Sequence, residues 1–423
     1  MSDLTAVLLV LLSFFVLPAE AMPEFARRYN VSCVACHQAF PRLNTFGDSF
    51  VAANYKMSNW RESNTVDLGD SRLALPKSPP LAFRAQTFAQ LRESEQLDPS
   101  TGPTGNKSNF DFQAPYLIKL LSSSPLSDDI SYYFYMIFAE KGENGTAVVE
   151  DAWIRHASLF GSGIGMQLGQ FQISDLMFPR EVRLTFQDFY AYRAAGLTYE
   201  RGVVFDRELA GTGLAIGAVN GNGIDENFTI NSPGYQRPDR MFDNDNRKSV
   251  FTRLGRALGP VDVGLFGLIG SQSSAGGVTG NQNGTRRSDK TSYGLDVAGS
   301  INGRLHWFGQ ALWNRWKDFL DPTPDRDFTW FGGFLGADYV QSDRWAYSAL
   351  WNYTDASQFH GTGTIFEGIE INALTLGASY YFMRNVKGVA EMTYDFLEKN
   401  SGPPYVGHQS KEHSLLVGLD MAL

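Results

Sequence analysis

From about residue 80 onward the chain alternates apolar and polar residues with a period of two. In residues 81–92, Leu81, Phe83, Ala85, Thr87, Ala89 and Leu91 fall on one face. Arg84, Gln86, Gln90 and Arg92 fall on the other, and Phe88 alone breaks the rule. The last segment repeats this, with Leu415, Val417, Leu419, Met421 and Leu423 set against Ser414, Gly418 and Asp420. In residues 305–314, Leu305, Trp307, Gly309, Ala311 and Trp313 oppose His306, Phe308, Gln310 and Asn314. A period of two is the signature of strands with one apolar and one polar face. About sixteen such segments lie between residues 81 and 423, among them 190–200 and 212–221.

The intervals between segments are unequal. Residues 174–189, 222–248, 271–289, 315–327, 355–368 and 398–410 form long connections. Those near Gly259-Pro260, Asn302, Ser342 and Arg384 are a residue or two. From the fifth strand on, long and short connections alternate, apart from the one near 201–211. Lipid tolerates no open sheet edge, so strands that span it close into a barrel. The expected fold is therefore all-β: a transmembrane antiparallel β-barrel of about 16 strands in contact with outer-membrane lipid, preceded by a small α-helical segment. Short turns and long loops segregate to opposite ends, which places both termini on the periplasmic side. Trp330, Trp345, Trp351, Tyr380 and Tyr381 lie near strand ends, where an aromatic girdle is expected. A soluble sandwich or propeller does not explain the one-sided loop lengths. The chain finishes on Leu423, whereas outer-membrane barrels commonly finish on Phe or Trp.

Composition narrows the partners. The net charge of −9 argues against nucleic acid, which calls for a basic face. Residues 6–17 are a short apolar run followed by Pro18 and Ala19-Glu20-Ala21. This reads as a signal peptide over 1–21, although the first five residues carry Asp3 and no Lys or Arg. The mature chain then divides into a segment over 22–80 and a porin-like barrel over 81–423.

The segment carries the chemistry. Cys33-Val34-Ala35-Cys36-His37 is a C-x-x-C-H motif, the signature of covalent haem attachment. Cys33 and Cys36 are the only cysteines in the chain. They would form thioethers to one haem c, with His37 as axial iron ligand. A zinc site would need two further ligands at comparable spacing, and a redox dithiol would need a βαβ setting. The iron's other side is open between candidates. Met57, in Tyr55-Lys56-Met57, would raise the potential. His306 sits on the lumen phase of a strand near its periplasmic start, His156 lies near a periplasmic end, and five-coordination is the remaining option. Pro41 is placed to open a helix at its first position, and Leu43, Phe46 and Phe50 would make one face against the porphyrin. So small a segment buries little surface by itself, so it is expected to plug the periplasmic end of the lumen.

Met22-Pro23-Glu24-Phe25-Ala26-Arg27, the C-x-x-C-H motif, Pro41-x-Leu43-Asn44-x-Phe46-Gly47 and Phe50 together resemble the N-terminal signature of the fused monohaem cytochrome–porins. Gly169-Gln170-Phe171 and Val219-Asn220-Gly221-Asn222-Gly223 resemble the phosphate-selective porin type. The first resemblance implies iron oxidation or extracellular electron transfer. In its iron-oxidising members Gln-Thr-Gly precedes the first cysteine, where this chain has Arg28-Tyr29-Asn30. The direction of electron flow is therefore open.

Two functions follow as expectations. The first is a conduit passing electrons between an extracellular metal or mineral, possible Fe(II) included, and a periplasmic c-type cytochrome through the single haem. Outer-sphere transfer needs no acid–base pair or nucleophile. Asp239, Asp243, Asp245, Asp318, Asp321, Asp325 and Asp327 would concentrate cations at the loops, or simply be solvated. The alternative is an anion-type diffusion porin with an accessory haem, its lumen carrying Arg84, Arg92, Lys119 and Arg155. A haem peroxidase ranks last, because residues 22–80 supply no histidine besides His37.

Overall fold

A computed structural model describes residues 24–57, 65–66, 69, 75–76, 80–98, 102–140, 143–221, 247–276, 282–362, 364–397 and 409–422. The expected signal peptide and the loop holding Asp239, Asp243 and Asp245 lie outside these residues. Among the described residues, sixteen antiparallel strands close into one barrel. They are β1 (Leu81–Asp98), β2 (Gly102–Pro125), β3 (Ile130–Glu140), β4 (Glu143–His156), β5 (Gly165–Gln172), β6 (Tyr199–Leu209), β7 (Thr212–Val219) and β8 (Ser249–Leu258). The second half is β9 (Val261–Gly276), β10 (Gln282–Ile301), β11 (Leu305–Lys317), β12 (Asp327–Val340), β13 (Trp345–Asp355), β14 (Ile371–Met383), β15 (Val386–Asp395) and β16 (Gln409–Ala422). Each strand pairs with its chain neighbours, and β16 closes the ring on β1 with Ala422 opposite Arg84.

The alternation read from the sequence becomes the inside and outside of this wall. Leu168, Ile216, Leu265, Leu335, Trp351, Leu376 and Val417 are exposed on the outer face, while Asp296, Gln310, Asn314, Asn352, Glu391 and Asp420 are buried toward the lumen. A wall apolar outside and polar inside is stable against lipid rather than water. Trp345 and Tyr380 pack together on the outer face at 4.7 Å, as a girdle requires. Trp330 and Tyr381 do not join it. Trp330 is buried inside, in phase with Phe328 and Phe334, and Tyr381 takes the phase opposite its neighbour Tyr380.

The connections also differ from expectation in one place. Residues 190–200 are not a strand. Tyr190–Ala194 forms a short helix ended by Gly196 at a φ of +60°, and the strand runs over Tyr199–Leu209 with a tight turn at Ala210-Gly211. Alanine-rich Tyr-Ala-Tyr-Arg-Ala-Ala suits a helix, and its apolar content alone imitated a strand. The correction removes that break in the alternation from the fifth strand on. Much of 271–289 is likewise strand, because β9 and β10 prolong their hairpin.

Residues 173–198 fold inward and cross the lumen. Tyr192 is fully buried, and its hydroxyl donates to Gln310 Oε1 at 2.9 Å. Phe189 stacks on Phe334 at 4.4 Å. Glu391, on the β15 wall, accepts the backbone N–H groups of Phe186 and Gln187 at 2.6 and 2.9 Å. Lys119 of β2 binds Glu181 at 2.7 Å. The loop is thus tied to opposite walls. The lumen cations expected to attract anions are paired: Arg84 with Asp420, Lys119 with Glu181 and Arg155 with Asp206.

Candidate haem-attachment site at the barrel mouth

The N-terminal segment begins with α1 (Glu24–Tyr29), and a single 3-10 turn over Cys33–Ala35 follows. His37–Ala39 then pairs with Arg42–Leu43 in a two-stranded ladder. Next comes α2 (Thr45–Ala52). Pro41 therefore sits in the ladder turn and not at a helix start. Asn44 is the N-cap, and its Oδ1 accepts the Gly47 N–H at 2.9 Å. Asparagine is a strong capping residue, and it starts the helix four residues later than Pro41 would.

Asn44 does a second task. Its Nδ2 donates to the carbonyls of Val34 and Ala35 at 3.2 and 3.0 Å, and its backbone N–H donates to that of Cys36 at 2.9 Å. One side chain therefore caps α2 and clamps the loop between the two cysteines. Gly47 makes the approach possible, since a Cβ there would stand 2.2 Å from the Cys36 carbonyl oxygen.

His37 Nδ1 lies 3.0 Å from the Pro41 carbonyl oxygen. A carbonyl only accepts, so Nδ1 carries the proton and Nε2 keeps its lone pair. That is the tautomer a metal needs, and a carbonyl partner of this kind fixes the ring's orientation. Burial holds the His37 pKa below the usual histidine value, against the Pro41 hydrogen bond, so the ring is neutral at pH 7. Burial also pushes the pKa of both Cys33 and Cys36 up, so both are thiols at pH 7. Among the described residues no group of three or more His, Cys, Asp or Glu gathers as a metal site. Two half-buried thiols and a neutral imidazole in one clamped loop fit covalent haem.

The expected porphyrin face is divided. Phe50 is buried in a protein cluster, 5.1 Å from Phe25, 5.6 Å from Tyr29 and 6.1 Å from Tyr55. Phe46 and Val34 stay 49% and 75% exposed beside the cysteine loop. Phe46 is thus free to lie on a ring, whereas Phe50 fastens α2 to α1.

The segment is seated on the short-turn end of the barrel. Tyr55 stacks near Tyr133 and Trp153, at 6.0 and 6.1 Å. Lys56 binds Asp128, and Asn54 donates to the Asp129 carbonyl at 3.2 Å, both in the turn between β2 and β3. Gln38 donates to the Gly303 carbonyl in the turn between β10 and β11. Arg42 binds Asp338 of β12 at 2.9 Å. The two candidate distal ligands lie on the same mouth. Half-buried Met57 follows Tyr55 and Lys56. His306, the second residue of β11, lies opposite Asp338, the partner of Arg42, and stacks on Phe308 at 5.6 Å. A cavity of about 350 Å³ remains near this end, lined by Met177, Phe178, Arg253, Arg256, Asp262 and Asp296. At the opposite end Asp321 binds Arg286 and Asp327 binds Arg315.

Sequence reasoning missed Phe40, Tyr381 and Lys387. The Phe40 carbonyl accepts from Tyr381 Oη at 2.9 Å and Lys387 Nζ at 2.7 Å. Contacts more than 340 residues apart leave no local signal.

No family model and no curated protein matches the sequence. Solved structures do match the fold. The chain is similar to the outer membrane channel DcaP of Acinetobacter baumannii, with a TM-score of 0.54 and 12% identity over 81% of this chain and 96% of that one. It is similar to an anion-selective porin from Comamonas acidovorans, with a TM-score of 0.53 and 13% identity over 82% and 99%. Salmonella typhi OmpF in complex with daunomycin gives 0.52 and 12% over 82% and 98%. At such identities the likeness establishes the porin-type barrel fold.

Proposed function

We propose that this chain is an outer-membrane porin-type barrel that carries one covalent haem c at its periplasmic mouth and passes single electrons there. The observation that carries the reading is His37, its Nδ1 held by the Pro41 carbonyl, in the same clamped loop as Cys33 and Cys36. The haem would supply a one-electron redox centre. The chain's own residues hold it: the cysteines anchor it, His37 ligates the iron, Asn44 fixes the loop and Phe46 offers an apolar cover. The apolar outer wall and the porin-type fold support an outer-membrane position, with the short turns and the segment facing the periplasm.

Position favours one class of extracellular partner. The apolar band of such a barrel is about 25 Å tall, so a solid at the outer mouth cannot touch a haem at the inner one. A small dissolved donor such as aqueous Fe(II) fits better than a mineral. A periplasmic c-type cytochrome would meet the haem at the exposed Val34 edge. Anaerobic addition of Fe(II) to the purified holo-protein tests this. The reduced haem band should rise with a one-to-one stoichiometry, and an unchanged oxidised spectrum would sink the Fe(II) reading.

The second reading is a diffusion porin. The fold shared with a channel and an anion-selective porin favours it. The inward loop and the seated segment oppose free passage. Planar-bilayer recording separates the two, because a steady porin-sized conductance of the complete chain supports diffusion.

A further inference from the structure

Phe40 is the residue before the one whose carbonyl holds His37, and the barrel wall grips it three ways. Its carbonyl takes the Tyr381 hydroxyl of β14 and the Lys387 ammonium of β15 at 2.9 and 2.7 Å. Its ring lies 5.3 Å from the Arg84 guanidinium and 5.9 Å from Lys387 Nζ. The same ring meets the His37 imidazole edge-on at 5.3 Å. Arg84 binds Asp420 through two contacts of 3.0 and 2.7 Å, and Lys387 Nζ lies 3.5 Å from Asp420. Asp338 and Glu181 also face these cations but are paired with Arg42 and Lys119, so Arg84 and Lys387 against Asp420 leave one positive charge behind Phe40.

A buried ammonium is costly, and an apolar residue would fill the same wall at less expense. Lys387 is 3% exposed, and its donors are spent on Asp420 and on the Phe40 carbonyl. An anchor for the segment alone needs no charge there. Lys56, Arg42 and Asn54 already supply anchors elsewhere on the rim.

We infer that Lys387, with Tyr381, is a positioning residue for His37: the barrel wall holds the Phe40-Pro41 turn that orients the imidazole and places positive charge on the far side of the Phe40 ring from it. The inference rests on the haem reading above. Reduction adds one electron to the iron, so a nearby positive charge favours the reduced state and raises the potential.

The test is a spectroelectrochemical titration of the full-length holo-protein, with haem content measured on the same samples. Lys387→Met should keep one haem per chain and shift the midpoint potential downward, and Lys387→Arg should restore it. A Lys387→Met protein with full haem content and an unchanged potential overturns the inference. Should Lys387→Met not assemble, Asp420→Asn removes the negative charge while leaving Lys387 in place. Its potential should move upward, and an unchanged value overturns the inference equally. If the wild-type protein carries no haem, the haem reading itself fails and takes this inference with it, an outcome distinct from an unmoved potential.

Discussion

At the scale of the residue, Asn44 joins two tasks that substitution can separate. Asn44→Ala removes the cap and the clamp, and the cap alone is worth about 1 kcal/mol. Asn44→Asp keeps an Oδ1 acceptor for Gly47 but loses both Nδ2 contacts to the cysteine loop. Haem content by pyridine haemochrome should fall for both variants. Resistance of the segment to mild proteolysis should fall clearly only for Asn44→Ala. Equal proteolysis of both would mean the cap contributes nothing. His37 gives a pH prediction for the haem-free Cys33→Ala/Cys36→Ala chain. Burial lowers its folded pKa, so the unfolded segment binds a proton more readily. The stabilisation is complete above the ordinary histidine value near 6.5 and is lost as pH falls through it toward the lower folded value. Fluorescence of Trp153, which packs on Tyr55, should report loosening on acidification, and His37→Leu should abolish that pH dependence.

At the scale of the element, the strands are legible because the outward face is apolar along most of each strand, while the inward face is mostly polar and broken only by residues such as Phe88, Phe334 and Leu416. In β16, Leu415, Val417 and Leu419 point out while Leu416 and Asp420 are buried. The inward loop is not legible, because its reasons lie on distant strands. Phe186 and Gln187 are held by Glu391, and Tyr190 by Asn352, more than 160 residues away. Trp330 shows the same limit: periodicity assigns it a strand, and only the phase of Phe328 and Phe334 tells which side it faces. The loop's main anchor is Tyr192. Tyr192→Ala should cost about 3–5 kcal/mol locally, by analogy with other large aromatic truncations, and lose the Gln310 bond. Single-channel conductance should rise in that variant while the heat-resistant barrel band on a gel persists. An unchanged conductance would show that the loop does not limit passage.

At the scale of the whole molecule, the C-x-x-C-H motif is legible from five residues, but its seat is not. The alternation of loop lengths leads the sequence reading to expect the segment at the short-turn end. The contacts of Gln38 with Gly303, Arg42 with Asp338 and Phe40 with Lys387 spread it across strands β10 to β15 of the rim. Barrel and segment therefore act as one body, in which a membrane wall supplies the surface that a segment of this size lacks. Deleting residues 22–57 should leave the barrel folded, since its closure through β16 and β1 uses none of them. The central claim is that Cys33, Cys36 and His37 hold one covalent haem within an outer-membrane barrel. The most direct measurement is the haem stoichiometry of the full-length protein, purified from outer membranes of a cell with c-type maturation. One haem per chain should co-migrate with the denatured polypeptide and vanish in Cys36→Ala. A folded, full-length wild-type barrel with no covalently bound haem would contradict the account.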